Sequence, residues 1–191
     1  MSRSYLLFAT VLLLIASNLV SGRFATTPAI SGDFTANVTI LEGTEKSTGY
    51  IVSHTSGHRW FRFIKELNET TYTFQPFGRT FIMTFTIMNS GCTCQRTDNA
   101  LIPNMFDELS TATSGKGTCA HGASGQLFEN NMVTALPGVP SKSYCVSGST
   151  PSYALEGATY TMFSNFVAGV PKSFPFDTIA PIVNECANAC L

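Results

Sequence analysis

Asp33-Phe34-Thr35-Ala36-Asn37-Val38-Thr39-Ile40 is the stretch on which the fold turns. Successive side chains of an extended chain point to opposite faces, so Phe34, Ala36, Val38 and Ile40 share one side while Thr35, Asn37 and Thr39 share the other. That alternation predicts a half-buried strand with an apolar inner face. Asn37-Val38-Thr39 is also an N-glycosylation sequon, and the polar side of the strand predicts an exposed Asn37. A second sequon is Asn68-Glu69-Thr70.

The pattern continues downstream. Gly43 to Gly49 reads as a polar turn. Tyr50 to His54 and Arg59 to Lys65 read as strands around Thr55-Ser56-Gly57, followed by Thr71 to Gln75 and Arg79 to Met88 on either side of Pro76-Phe77-Gly78. Within the last run Phe81, Met83, Phe85 and Ile87 fall on one face, and Ile82, Thr84, Thr86 and Met88 on the other. The first half is therefore expected to be an antiparallel meander of about five strands.

The middle of the chain differs. Pro103 to Thr111 places proline at a position suited to a first helical turn, with Asp107 and Glu108 close behind. Met105, Phe106 and Leu109 gather on one side, which predicts a short amphipathic helix stopped by Gly115 and Gly117. Ser114 to Gly125 is a polar, glycine-rich loop tethered at Cys119. Leu127 to Leu136, Lys142 to Val146 and Ala158 to Val167 read as strands, and Pro137 to Pro140 as a turn. Pro171 to Pro181 carries three prolines, too many for a central strand.

Working back to the start, Arg3, the apolar run Tyr5 to Ala16 and the small-residue stretch Val20-Ser21-Gly22 have the layout of a secretory signal peptide over residues 1–22. The apolar run is shorter than the roughly 20 residues a membrane-spanning helix needs. Residues 23–191 are then expected to form a single secreted β-rich domain, without a transmembrane anchor. Six cysteines behind such a leader, Cys92, Cys94, Cys119, Cys145, Cys186 and Cys190, imply disulfides in an oxidising compartment, extracellular or endomembrane. Cys92 and Cys94 share a face of an extended chain without meeting, so they are not expected to pair with each other. The tail cysteines, Cys186 and Cys190, are expected to staple back onto Cys92, Cys94 or the Cys119 region.

Composition narrows the function. The 191 residues are 44% hydrophobic and 12% charged with a net charge of -1, and no basic run offers a footprint for nucleic acid. Gly122-Ala123-Ser124-Gly125-Gln126 lacks the final glycine of a nucleophile elbow. Gly115-Lys116-Gly117-Thr118 has glycine where a phosphate loop needs serine or threonine after its lysine. His54 and His58 flank a turn, not a helix face, so they do not form a metal-binding pair with His121 by spacing. Cys119 and His121 would make a thiol nucleophile and base only if Cys119 were reduced. No catalytic constellation, cofactor site or metal site emerges.

The order of features resembles a family. Asp33 to Ile40, the meander, the Cys92-Thr93-Cys94 motif and the final segment are similar to the eukaryotic secreted LolA-like and ependymin-related proteins. The final segment runs from Tyr144-Cys145-Val146-Ser147-Gly148 through Tyr153 to Tyr160 and Phe163-Ser164-Asn165-Phe166. It ends with Gly169-Val170-Pro171-Lys172-Ser173-Phe174-Pro175-Phe176-Asp177 and Cys186. The resemblance implies a mainly β fold with minor α content: a curved antiparallel half-open barrel, disulfide-stabilised, with short helices over its concave face. It also implies an apolar cleft for a lipid or similar hydrophobic molecule. On that basis Phe34, Val38, Phe81, Met83 and Phe85 are the expected cleft residues, with Met105, Phe106 and Leu109 as the lid. The expected function is a secreted, non-catalytic binding protein. The alternative is a structural or adhesive extracellular glycoprotein in which the same phenylalanines are ordinary core.

Overall fold

Among the described residues eleven strands, each antiparallel to its neighbours, make a single sheet. A computed structural model describes residues 27–102, 104–130, 142–175, 180–181, 183–184, 186 and 190. The expected signal peptide, Pro103, the distal part of the 127–136 segment, the 137–140 turn and residues 176–179 lie outside the described residues. The strands are β1 (Asp33–Glu42), β2 (Glu45–His54), β3 (Arg59–Ile64), β4 (Glu69–Phe74), β5 (Phe81–Met88) and β6 (Gly91–Asp98), then β7 (Thr113–Ser114), β8 (Gln126–Glu129), β9 (Lys142–Ser147), β10 (Thr150–Glu156) and β11 (Thr159–Ala168). Their spatial order is β6-β5-β4-β3-β2-β1-β11-β10-β9-β8-β7, so the first and last strands of the chain pair through β1 and β11 and the sheet does not close.

β1 sits at the centre because its alternation satisfies a partner on each side. Ala36 faces Ile51 of β2, and Val38 faces Phe163 of β11. Phe34, Ala36 and Val38 are buried while Asn37 is exposed. Two expectations fail next to it. The polar run 43–49 is not a long turn: Gly43 in the left-handed region (φ 59°) and Thr44 close the hairpin alone, and Glu45 to Gly49 pair with Glu42 to Val38. The meander has six strands, because the polar stretch Gly91–Asp98 pairs in full register with β5 as an exposed edge.

Bulges between Thr35 and Asn37 and between Pro151 and Tyr153 bend the sheet. Gly49 marks a close approach of β2 to β3, since a Cβ there would run into the Phe63 carbonyl. Gly49→Ala is expected to destabilise the protein by about 1–3 kcal/mol, the range for forcing an extra methyl into a filled position. Urea unfolding should show it as a lower midpoint with an unchanged slope.

The sheet buries residues on both faces, as the neighbours Ile51 and Val52 show. Ile51 belongs to one core with Phe34, Ala36, Val38, Phe106, Leu109, Ala112, Phe128, Tyr144, Val146 and Ala154. Val52 belongs to another with Phe61, Tyr72, Phe85, Val183 and Cys186. The first face is covered by the segment around Phe106 and Leu109, and the second by the C-terminal tail.

The first cover is a 3₁₀ turn, Asp107–Thr111, where an amphipathic helix was expected. Three residues per turn put Phe106 and Leu109 on the same side, and the Asn104 side chain accepts the Phe106 N–H at 3.1 Å. The turn ends at Ala112, ahead of both expected glycine stops. Glu108 pins it to β9 and to the end of β8: Lys142 Nζ donates at 2.8 Å and Asn130 Nδ2 at 2.9 Å. The Lys142 hydrogen bond holds the Glu108 carboxyl below its usual pKa despite partial burial. A depressed carboxylate pKa stabilises the fold above the unfolded-state value and ceases to do so as pH falls through the folded value. Glu108→Gln is therefore expected to lower the melting temperature at neutral pH, with the gap from the parent protein closing below about pH 4.

The second cover is stapled. Cys186 pairs with Cys92 and Cys190 with Cys94, with Cα separations of 6.0 and 5.1 Å, so both tail cysteines join edge strand β6. Ala180, Pro181, Val183, Asn184 and Cys186 are helical, a helix the sequence pattern did not announce. Cys119 pairs with Cys145 at a Cα separation of 5.6 Å and ties the glycine-rich loop to β9.

Candidate binding cleft

Register builds the candidate site. Arg59, Phe74 and Met83 form one row across β3, β4 and β5 on the second face, and Phe61, Tyr72 and Phe85 form the next. Stacking follows from that alignment: the Tyr72 and Phe74 rings lie 5.5 Å apart and those of Phe74 and Phe85 6.1 Å apart. Phe174 closes against Phe61 and Tyr72 at 6.3 and 5.9 Å.

The tail leaves part of this face uncovered. A cleft of about 610 Å³ remains, lined by Tyr72, Phe74, Met83, Phe85 and Val183, with Phe77 at its lip. Phe77 is fully exposed. His58, Arg59, Gln75 and Asn184 add polar groups to the lining, which Gly57 also joins. A Cβ at Gly57 would meet the His54 ring, and His58 turns the chain with φ 56°. Burial pushes the Tyr72 hydroxyl up to about 12 although Arg59 pulls the other way, so Tyr72 is neutral over the physiological range.

The residues expected to line a cleft separate into two groups. Met83 and Phe85 line this one. Phe81 starts the same strand but lies beneath the Arg96 guanidinium, 4.1 Å from its ring centre, outside the lining. Phe34 and Val38 face the other way and are fully packed, Phe34 against Phe106, Phe163 and Phe166. Phe106 and Leu109 cover that core, and Met105 borders a different depression on the same face. A single lid over a single cleft is thus replaced by two covers on opposite faces. The sequence reading missed Tyr72, Phe74, Phe77 and Val183. Phe77 at the tip of a Pro-Phe-Gly turn was the available signal, since an aromatic at a turn tip has no core to join.

Asn37 and Asn68 are both exposed. Asn68 sits in the β3–β4 turn with φ 44° and donates from its side chain to Asn89. His121 packs edge-on to Tyr160 at 4.5 Å, away from the His54 and His58 turn, and Cys119 is oxidised. Among the described residues no three His, Cys, Asp or Glu side chains gather to hold a metal ion, and no helix is long and apolar enough to cross a membrane.

Fold and cleft together define an open, disulfide-stapled antiparallel β-sheet protein with an aromatic cleft beneath its tail. No protein-family model matches the chain, and no curated protein matches its sequence.

Proposed function

We propose that the protein is a secreted, non-catalytic binder of a hydrophobic molecule, a lipid chain or similar, held in the cleft between β3–β5 and the C-terminal tail. The observation that carries this reading is the 610 Å³ of space left beside Tyr72, Phe74, Phe77, Met83 and Phe85. Ligand sites fall in the range of about 300–1,000 Å³ and are lined mostly by apolar and aromatic groups. Met83 adds a side chain that adapts to irregular apolar shapes. Arg59 and His58 add polar groups to this lining, which suits a ligand with a polar head and an apolar chain. The leader-like residues 1–22, three disulfides and exposed sequons support export, and the resemblance to LolA-like and ependymin-related proteins favours the same ligand class.

Native mass spectrometry of the protein secreted from eukaryotic cells tests this. The expected spectrum shows loss of residues 1–22, oxidised cysteines, a glycan on Asn37 and a lipid-sized adduct that organic extraction removes. An adduct-free spectrum, together with failure of a fluorescent fatty-acid probe to bind, would overturn the reading in favour of a structural glycoprotein.

A further inference from the structure

A shallow recess of about 140 Å³ opens beside the sequon of β1, with Thr35, Asn37, Tyr50 and Asn165 in its lining. Register sets it up, because Asn37 of β1 lies directly opposite Tyr50 of β2. Side chains of such partners leave the same face of the sheet, with Cβ atoms about 4.5–5.5 Å apart. Towards β11, Thr35 faces Val167 while Asn37 faces Ser164, so β11 bulges there, and Asn165, with φ 51°, joins the lining.

Tyr50 is packed from one side. Phe61 and Phe63 of β3 approach its ring with centroids 5.4 and 5.7 Å away. β2 lies between β3 and β1, so these contacts leave open the side of Tyr50 towards β1, where Asn37 stands. Tyr50 accordingly keeps 37% of its surface exposed, and Asn37 is exposed beside it. The residues that line the recess are all uncharged.

The chemistry of the occupant follows from the sequon at its edge. Asn37-Val38-Thr39 is an acceptor for N-linked N-acetylglucosamine in an exported chain. A sugar on Asn37 starts from the face that Tyr50 shares, one strand away from the open side of its ring. The C–H face of a neutral sugar ring suits the electron-rich face of an aromatic ring, and Asn165 offers both a donor and an acceptor to its polar groups. We propose that the first N-acetylglucosamine of a glycan on Asn37 lies in this recess against Tyr50 and completes the burial of its ring. This rests on the export reading above and not on the hydrophobic cleft. Asn68 is the contrast, because it stands in the β3–β4 turn without a cross-strand partner and its side chain donates to Asn89.

The full chain expressed in cells that attach high-mannose glycans tests this, with Thr39→Val removing the Asn37 sequon and Thr70→Val the Asn68 sequon. The Asn37 glycan is expected to raise the melting temperature by about 2–4 °C, the shift that one ring contact produces in a domain of this size. The gain should survive endoglycosidase H, which leaves a single N-acetylglucosamine. It should also survive in Tyr50→Phe and vanish in Tyr50→Val, each compared with and without the sequon so that the cost of the substitution itself cancels. In NMR spectra of the folded parent with isotope-labelled glycans, protons of the Asn37-linked sugar should lie upfield of those on Asn68, because the tyrosine ring current shifts them. A secreted chain that keeps residues 1–22, or a failure to secrete, would overturn the export reading and the proposal together. A cleaved, oxidised chain with a bare Asn37, a gain that persists in Tyr50→Val, or coincident proton shifts at the two sites would overturn the proposal alone.

Discussion

Removing both tail disulfides, as Cys92→Ser/Cys186→Ser combined with Cys94→Ser/Cys190→Ser, is expected to destabilise the protein by more than the sum of the two removals taken singly. Cys92 and Cys186 are 94 residues apart and Cys94 and Cys190 are 96 apart. Closing a loop of that length constrains the unfolded chain by about 4–5 kcal/mol in the chain-entropy description. Once either bridge exists, the other closes only a small ring of a few residues and adds about 2–3 kcal/mol. Each pair removed alone should therefore lower stability by about 2–3 kcal/mol, and both together by about 7 kcal/mol, of the order of the whole stability of a domain. Urea unfolding measures all three variants. Additive losses would mean that the tail has a foothold on β6 that does not depend on either bridge. In the double-pair variant the tail should also leave the second face, exposing Phe61, Tyr72 and Phe85 and removing the Val183 wall of the hydrophobic cleft. A rise in anilinonaphthalene-sulfonate fluorescence, with loss of the fatty-acid probe, should accompany the change.

That dependence on the tail explains which parts of the molecule were legible in the sequence. β1 was, because period-two alternation is the direct imprint of one buried face, and β5 was for the same reason. β6 was not: Gly91–Asp98 has no apolar stripe, and it is a strand because β5 offers it backbone partners and two disulfides hold it. β10 was hidden by Pro151, which the bulge before Tyr153 accommodates. In the candidate site, Met83 and Phe85 were legible as members of a stripe, yet Phe34 and Val38 carry the same signature. Whether a stripe is filled or left open depends on what covers it. The Phe106 segment fills the first face near Phe34, and the tail covers the second only in part. Tyr72 and Phe74 were obscured by the threonines of a six-residue strand.

The same substitution at two phenylalanines separates fold from function. Phe34 is fully buried, with ring centroids 5.5 Å from Phe106, 6.4 Å from Phe163 and 5.0 Å from Phe166, so Phe34→Ala removes one member of a four-ring cluster. The neighbouring rings are held by two separate elements, β11 and the segment leading into the 3₁₀ turn, and cannot all collapse inward, so lost transfer energy and a residual cavity add to about 3–5 kcal/mol. Phe77, fully exposed at the lip of the hydrophobic cleft, has no such neighbours to lose. Phe77→Ala should alter stability by no more than about 0.5 kcal/mol while weakening the fatty-acid probe several-fold. Urea midpoints and probe titration on the two variants measure both effects. A mild loss at Phe34, under about 1 kcal/mol, would mean that the first face is not packed around it and that its phenylalanines are free to receive a ligand. Unchanged probe affinity in Phe77→Ala would remove the lip from the site and confine binding to the rows of Phe74 and Phe85 beneath it.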